Sequence, residues 1–322
     1  KLLAGRDTLQ LGTFDQTAMS TQVGGFADWI RSSRADNVVF TGVLTPIRLF
    51  IDGCVTALRH LISLPAAGST IPLIGWLGVI AVIAWIVFAT STWRTAVMAT
   101  TLTFACGALG VWAESMDTLA LVLTAVILSL AIGIPVGVWA GLSNVALKLV
   151  TPILDLAQIL PTLVYLVPLA LVFLVGPAAA TVATMIYSIP IAIRITAYGI
   201  RGVPGSPVEA STSMGTTTLQ LLRKVQLPMA ARTIVLGVNQ TTLAALSFAV
   251  IATLIGAPGL GAPVLDALQI RAIGRGTVAG LAVVLLAIML DRATSATVHR
   301  RDSFVPPSAT QIRNRRVALI AT

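Results

Sequence analysis

Residues 206–228 read SPVEASTSMGTTTLQLLRKVQLP, a polar, helix-forming segment between two long apolar ones. Gly202, Pro204 and Gly205 break whatever precedes it. Ser206 is placed to cap a helix and Pro207 suits the first helical position. Glu209 stands three residues after Ser206, which makes a capping box. Gly215 is suited to end that first helix in a left-handed turn. A second helix is predicted over 217–226, carrying Leu219, Leu221, Leu222 and Val225. Arg223 and Lys224 fall in its last turns, where they complement the helix dipole. Pro228 is expected to stop it. A chain that keeps two short capped helices in water between apolar stretches has a surface to offer a partner.

Those apolar stretches decide the class. Hydrophobic residues make up 56% of the 322 and charged residues 10%, with a mean hydropathy of +0.93. A soluble domain carries about 25% charge, so the chain reads as an all-α polytopic membrane protein. Apolar runs long enough to span, roughly 20 residues, recur at 71–90, 95–112, 118–142, 153–176, 178–200, 231–256 and 276–292, about seven in all. Gly133, Pro135, Pro161, Pro168 and Pro190 within them are tolerable where neighbouring helices satisfy the backbone. Three regions follow. Residues 1–65 are of mixed polarity, with amphipathic helices at 26–30 and 44–64 whose polar side bears Arg48, Asp52 and Arg59. They are too charged to span and are expected at the interface. Residues 66–295 are the membrane domain, and 296–322 form a basic tail. Arg313-Asn-Arg-Arg316 followed by Val-Ala-Leu-Ile-Ala-Thr reads as the approach to a further span.

Charge placement orients the chain, because lysine and arginine collect on the cytoplasmic side. With 201–230 cytoplasmic, alternation puts Arg94, Lys148, Arg201, Arg223, Lys224, Arg232, Arg292, Arg300, Arg301, Arg313, Arg315 and Arg316 inside. Only Arg271 and Arg275 fall outside beyond the first span. The N-terminal region is then extracytoplasmic and the C-terminus cytoplasmic. The net charge of +9 is accounted for by topology and anionic lipid, with no call for nucleic acid.

Catalytic chemistry is absent from the pattern. There is no G-x-x-x-x-G-K-[ST] phosphate loop, so an ATP-driven function needs a separate ATPase. Gly256-Ala-Pro-Gly-Leu-Gly261 follows a span and reads as an external turn or re-entrant hairpin. Cys54 and Cys106, and His60 and His299, are isolated, and no metal site or nucleophile arrangement is expected. Polar groups at membrane depth either serve a pathway or tie helices together. Gln158, Asn239 and Gln240 are the clearest, with Arg194 and Asp155 near one membrane boundary. Tyr165, Tyr187 and Phe248 are among the few aromatics in the spans. Their faces could attract a cation or simply pack.

The 206–228 segment also resembles a signature. Permease subunits of ABC importers carry a cytoplasmic loop of the form E-A-A, three residues, G, nine residues, I-x-L-P. Here Glu209, Ala210, Ser211, Gly215, Val225, Leu227 and Pro228 fill those places, with Ser211 for alanine and Val225 for isoleucine as the departures. The stretches 119–141, 160–169 and 237–261, with Asp291-Arg292, are similar to ProW-type permeases, the membrane subunits of glycine betaine/proline importers. The resemblance covers roughly residues 26–300 and implies the ABC type I importer permease fold in a bacterial inner membrane. It also implies coupling through the 206–228 loop to an ABC ATPase, which holds the ATP and Mg, so the chain itself binds no cofactor. A second permease half, identical or fused, and an extracytoplasmic substrate-binding protein complete the assembly. Related substrates are glycine betaine, proline betaine, choline and carnitine. One alternative is an importer permease for another small polar solute. Another is a secondary transporter, whose inverted repeats and charged relays the spans do not clearly show. A third is a membrane scaffold or receptor-type protein, which would explain a docking loop but not the polar residues within spans.

Overall fold

The computed structural model describes residues 18–65 and 72–302, with side chains at 20–65 and 72–295. The predicted approach to a further span lies outside the described residues. Among those described, all regular structure is helical. In chain order the helices are α1 (Ala18–Ser33), α2 (Phe40–Ile62, opening with a π turn), α3 (Trp76–Thr90), α4 (Trp93–Ala108), α5 (Trp112–Leu142), α6 (Asn144–Ile159) and α7 (Thr162–Phe173). There follow α8 (Pro177–Arg201), α9 (Gly205–Ser213), α10 (Thr218–Leu221), α11 (Leu227–Ile251), α12 (Gly261–Gln269) and α13 (Ile273–Asp302).

Five helices are long and apolar enough to cross a membrane, or six if the bent pair α6–α7 counts as one, against about seven expected. Two of the expected spans, 71–90 and 95–112, appear as α3 of 15 residues and α4 of 16, shorter than the roughly 20 a span needs. They pack on each other and on α13. The expected span at 153–176 is broken. α6 and α7 meet at 99°, because Pro161 drives Leu160 into extended backbone (φ −61°, ψ 126°) and the first helix ends there.

The core is α5, α8 and α11. α5 and α8 run parallel. Gly133 faces Ala192, Gly137 faces Thr196 and Gly141 faces Ile200. Ser129 and Ser188 share a 2.8 Å hydrogen bond. A Cβ added at those three glycines would lie 2.6, 2.6 and 2.7 Å from side-chain atoms of α8. The missing side chains are what let the two backbones approach. α11 packs antiparallel on α8, with Gly199 against Thr233 and Gly237 against Ile195. α13 closes the other side of α11.

The charges on the polar side of α2 have defined partners. Arg59 forms a two-pronged ion pair with Asp117 at the start of α5 (2.8 and 2.7 Å). Asp52 accepts a 2.8 Å bond from the Ala178 N–H at the start of α8, where a carboxylate complements the helix dipole. Arg48 pairs with Asp52. Leu49 and Phe50 are exposed on the other side. Protein partners are available to these charges, so they turn inward.

Asp52 and Arg59 lie about 10 Å apart along α2. The α5–α8 register, however, sets Ala178 level with Leu119, two residues from Asp117. The partners thus sit at nearly one depth. α2 therefore lies across the starting ends of α5 and α8, although its length and composition would let it span. The 256–261 segment is at that same end. Gly256 (φ 81°) and Gly259 (φ 126°) make it a tight turn, and the Leu260 N–H donates to Thr118 Oγ1 at 2.8 Å.

Candidate functional site

The 205–228 segment projects from the opposite end of the bundle. Its base is fixed by Arg201, whose guanidinium donates to the Ala140 carbonyl (3.0 Å) and to Asn144 Oδ1 (2.8 Å) at the α5–α6 junction. Pro204, in extended backbone, turns the chain, and α9 starts at Gly205 without a side-chain cap. The expected Ser206–Glu209 capping box therefore does not form. With the helix beginning two residues early, Ser206 and Glu209 are inside it, and Pro207 still falls in the first turn, where no N–H is needed. The box is at the second helix instead. The Gln220 N–H donates to Thr217 Oγ1 (3.4 Å) and the Thr217 N–H to Gln220 Oε1 (3.0 Å).

Gly215 sits between the two helices at φ 75°, as its position suggested. Just beyond α9, its N–H donates to the Thr212 carbonyl at 2.9 Å. Ser211, the departure from alanine, bridges this turn. Its hydroxyl and that of Thr216 lie 2.9 Å apart, and Thr216 Oγ1 also donates to the Ser211 carbonyl at 2.9 Å.

Pro228 does not stop the second helix. α10 continues through a π turn at Leu222–Gln226 straight into α11, with Pro228 in the first turn of α11. Proline removes one helical hydrogen bond and crowds the preceding turn; a locally widened turn absorbs both. Thr218–Ile255 is therefore continuous, so α10 and the core helix α11 are one rod. No residue of α9, α10 or the π turn is buried. Glu209, Ala210, Gly215 and Pro228 are exposed; Ser211, Val225 and Leu227 are half-buried. Met214 is 85% exposed, an apolar side chain standing in the open at the turn.

The polar candidates at membrane depth separate. Asn239 is buried and fully engaged with α13. Its Nδ2 donates to Asp291 Oδ1 and to Ser295 Oγ, both at 3.0 Å, and its Oδ1 accepts from Thr294. That is a helix–helix tie. Gln158 on α6 and Gln240 on α11 are exposed. Arg194 pairs with Asp155, holding α6 against α8. Tyr165 stacks on Phe248, which stacks on Tyr187. Among the described residues, no group of three or more His, Cys, Asp or Glu could hold a metal ion. What the sequence reading passed over is the small-residue stripe Gly133-xxx-Gly137-xxx-Gly141. Its four-residue spacing was a sufficient signal for a close helix contact.

A family model described as "Binding-protein-dependent transport system inner membrane component" matches residues 133–301, just over half of the chain. The chain belongs to this family. The match takes in the glycine stripe, the broken span and the whole 205–228 segment. The glycine betaine transport system permease protein OpuAB of Bacillus subtilis is 40% identical over 269 residues, 84% of this chain and 90% of that protein. The glycine betaine/proline betaine transport system permease protein ProW of Escherichia coli is 40% identical over 304 residues, 87% and 84% of the two chains. Among solved structures, an inward-facing form of the MetNI methionine ABC transporter superposes with a TM-score of 0.53. It covers 58% of this chain and 94% of that one at 25% identity.

Proposed function

We propose that this chain is the membrane-spanning, non-catalytic subunit of an ATP-driven importer for quaternary-ammonium osmolytes: glycine betaine, proline betaine, choline or carnitine. The observation that carries this reading is the 40% identity spread over most of two permeases named for betaine transport. In this reading the 206–228 loop is cytoplasmic, and Glu209, Ala210, Ser211, Gly215, Val225, Leu227 and Pro228 form the face received by a partner ATPase. That ATPase supplies the ATP and Mg. An exposed two-helix element that is fixed at its base and continuous with α11 suits that task. A second permease half completes the pathway, and a binding protein delivers solute to the end covered by α1 and α2, the extracytoplasmic end. Gln158, Tyr165 and Gln240 face the pathway, while Asn239 holds α13 in place.

The test is ATP-dependent uptake of radiolabelled betaine, choline, carnitine and proline by liposomes holding the chain with its ATPase and binding protein. Uptake of a quaternary-ammonium solute is expected. Transport confined to an unrelated solute would keep the importer and overturn the substrate class, and uptake without an ATPase would overturn both.

A further inference from the structure

Tyr165, Tyr187 and Phe248 come from three different helices, α7, α8 and α11, and meet face to face. The Phe248 ring lies 5.9 Å from Tyr165 with 14° between planes, and 5.3 Å from Tyr187 with 27°. Phe248 is sealed at 1% exposure and the two tyrosines are half-buried. The Tyr165 hydroxyl is shut away and finds no hydrogen-bond partner in the protein. The chain has three tyrosines, so this one stack takes two of them. The surrounding core is mostly alanine, leucine and valine, and a packing role would be met by leucine without stranding a hydroxyl.

Position adds a second argument. The α5–α8 register sets Tyr187 level with Leu128, beside the midpoint of the 31-residue helix α5. Tyr165 lies four residues after Pro161, where the α6–α7 pair is broken. Secondary transporters place their solute sites at half-depth, beside discontinuous helices, and this chain, though of a different class, has the same arrangement of a broken helix at half-depth. A polar group stranded there costs stability unless it is used. The faces of aromatic rings attract cations, more strongly away from water. α7 is bounded by the Pro161 break on one side and, on the other, by Leu174 (φ 64°) and Gly176 (φ 145°), two places where its ends can hinge.

We infer that this stack is the closed form of a cation-recognising constriction, whose rings part to hold the trimethylammonium group of a betaine-type zwitterion while the Tyr165 hydroxyl donates to its carboxylate. This rests on the substrate class proposed above. In the closed form the rings occupy one another's faces, so the site opens only when α7 swings from α8 and α11.

The test uses the complete complex with ATPase and binding protein, at saturating glycine betaine so that delivery is not limiting. Phe248 is replaced by trifluorophenylalanine, which keeps the ring's shape and withdraws its negative face, and in parallel by Phe248→Leu and Phe248→Trp. Maximal uptake is expected to fall about tenfold with the fluorinated ring and further with leucine, and to be largely retained with tryptophan. Tyr165→Phe is expected to slow uptake several-fold without altering assembly. Full uptake with the fluorinated ring would make the stack mere packing and overturn the inference, even if the leucine variant fails to assemble. If the unaltered complex carries no quaternary-ammonium solute, the proposed function falls first and this inference with it.

Discussion

Along the α5–α8 seam three glycines let two helices touch so closely that an added Cβ would come within 2.7 Å of a neighbouring side chain. Across the 205–228 loop no residue of the short helices is buried, and shape is held by a left-handed glycine, a hydroxyl pair and a capping box. Both regions depend on glycine, for opposite reasons. In the seam it supplies the absence of volume; at Gly215 it supplies a backbone angle, with open space around it. A rigid core and a self-supporting exposed element are what a device needs if force is to enter at one place and move helices at another.

The comparison breaks first at Gly137. A Cβ there meets Thr196 at 2.6 Å and the Ile193 carbonyl at 2.8 Å, and the backbone atom cannot retreat. Gly137→Leu is expected to cost at least about 1–3 kcal/mol and to abolish uptake by preventing a folded bundle, as thermal unfolding in detergent would register. An unchanged melting temperature would mean the seam is looser than its geometry. Next comes Gly215→Val. A β-branched residue at φ 75° costs about 1–2 kcal/mol, yet nothing crowds it. The bundle should survive while uptake drops more than tenfold and ATP hydrolysis by the complex no longer tracks transport. Normal uptake by this variant would count strongly against a coupling role.

Asn239→Ala sharpens the comparison by touching the core through polarity rather than volume. It strips Asp291, Thr294 and Ser295 of a shared partner and is expected to cost about 1–3 kcal/mol. Uptake should fall only as far as the folded population does; a large uptake loss at unchanged stability would move Asn239 into the pathway. The smallest effect is expected from Ser211→Ala, which removes one half-buried hydroxyl contact worth about 1 kcal/mol. Uptake within twofold of the unaltered chain is the expected reading, because Gly215 and the Thr217–Gln220 box still hold the turn.

Much of the outline was legible in the chain. Length and apolarity located α5, α8, α11 and α13, since a membrane imposes both requirements on each span by itself. The role of Gly215 was legible because left-handed backbone selects glycine locally. The errors came where a second element decides the outcome. Ser206 looked like a cap until Pro204 turned the chain two residues earlier. Pro228 looked like a stop until the π turn carried α10 into α11. The polar side of α2 was legible, but the partners of Arg59 and Asp52, Asp117 and Ala178, lie more than fifty residues away. The glycine stripe was in plain view at four-residue spacing, but its meaning lies in Ala192, Thr196 and Ile200 on another helix.

The sequence alone thus determined the class of molecule, the existence of an exposed two-helix element between apolar spans, and the position of its hinge. These follow from composition and from backbone preferences that act within a few residues. Only the tertiary structure decided which helices pair, that the span at 153–176 is broken near half-depth, that α2 lies across the bundle, and that three aromatic rings from three helices meet. Those outcomes depend on registers between distant segments, and a register is set by close packing over a whole interface, which no local pattern encodes.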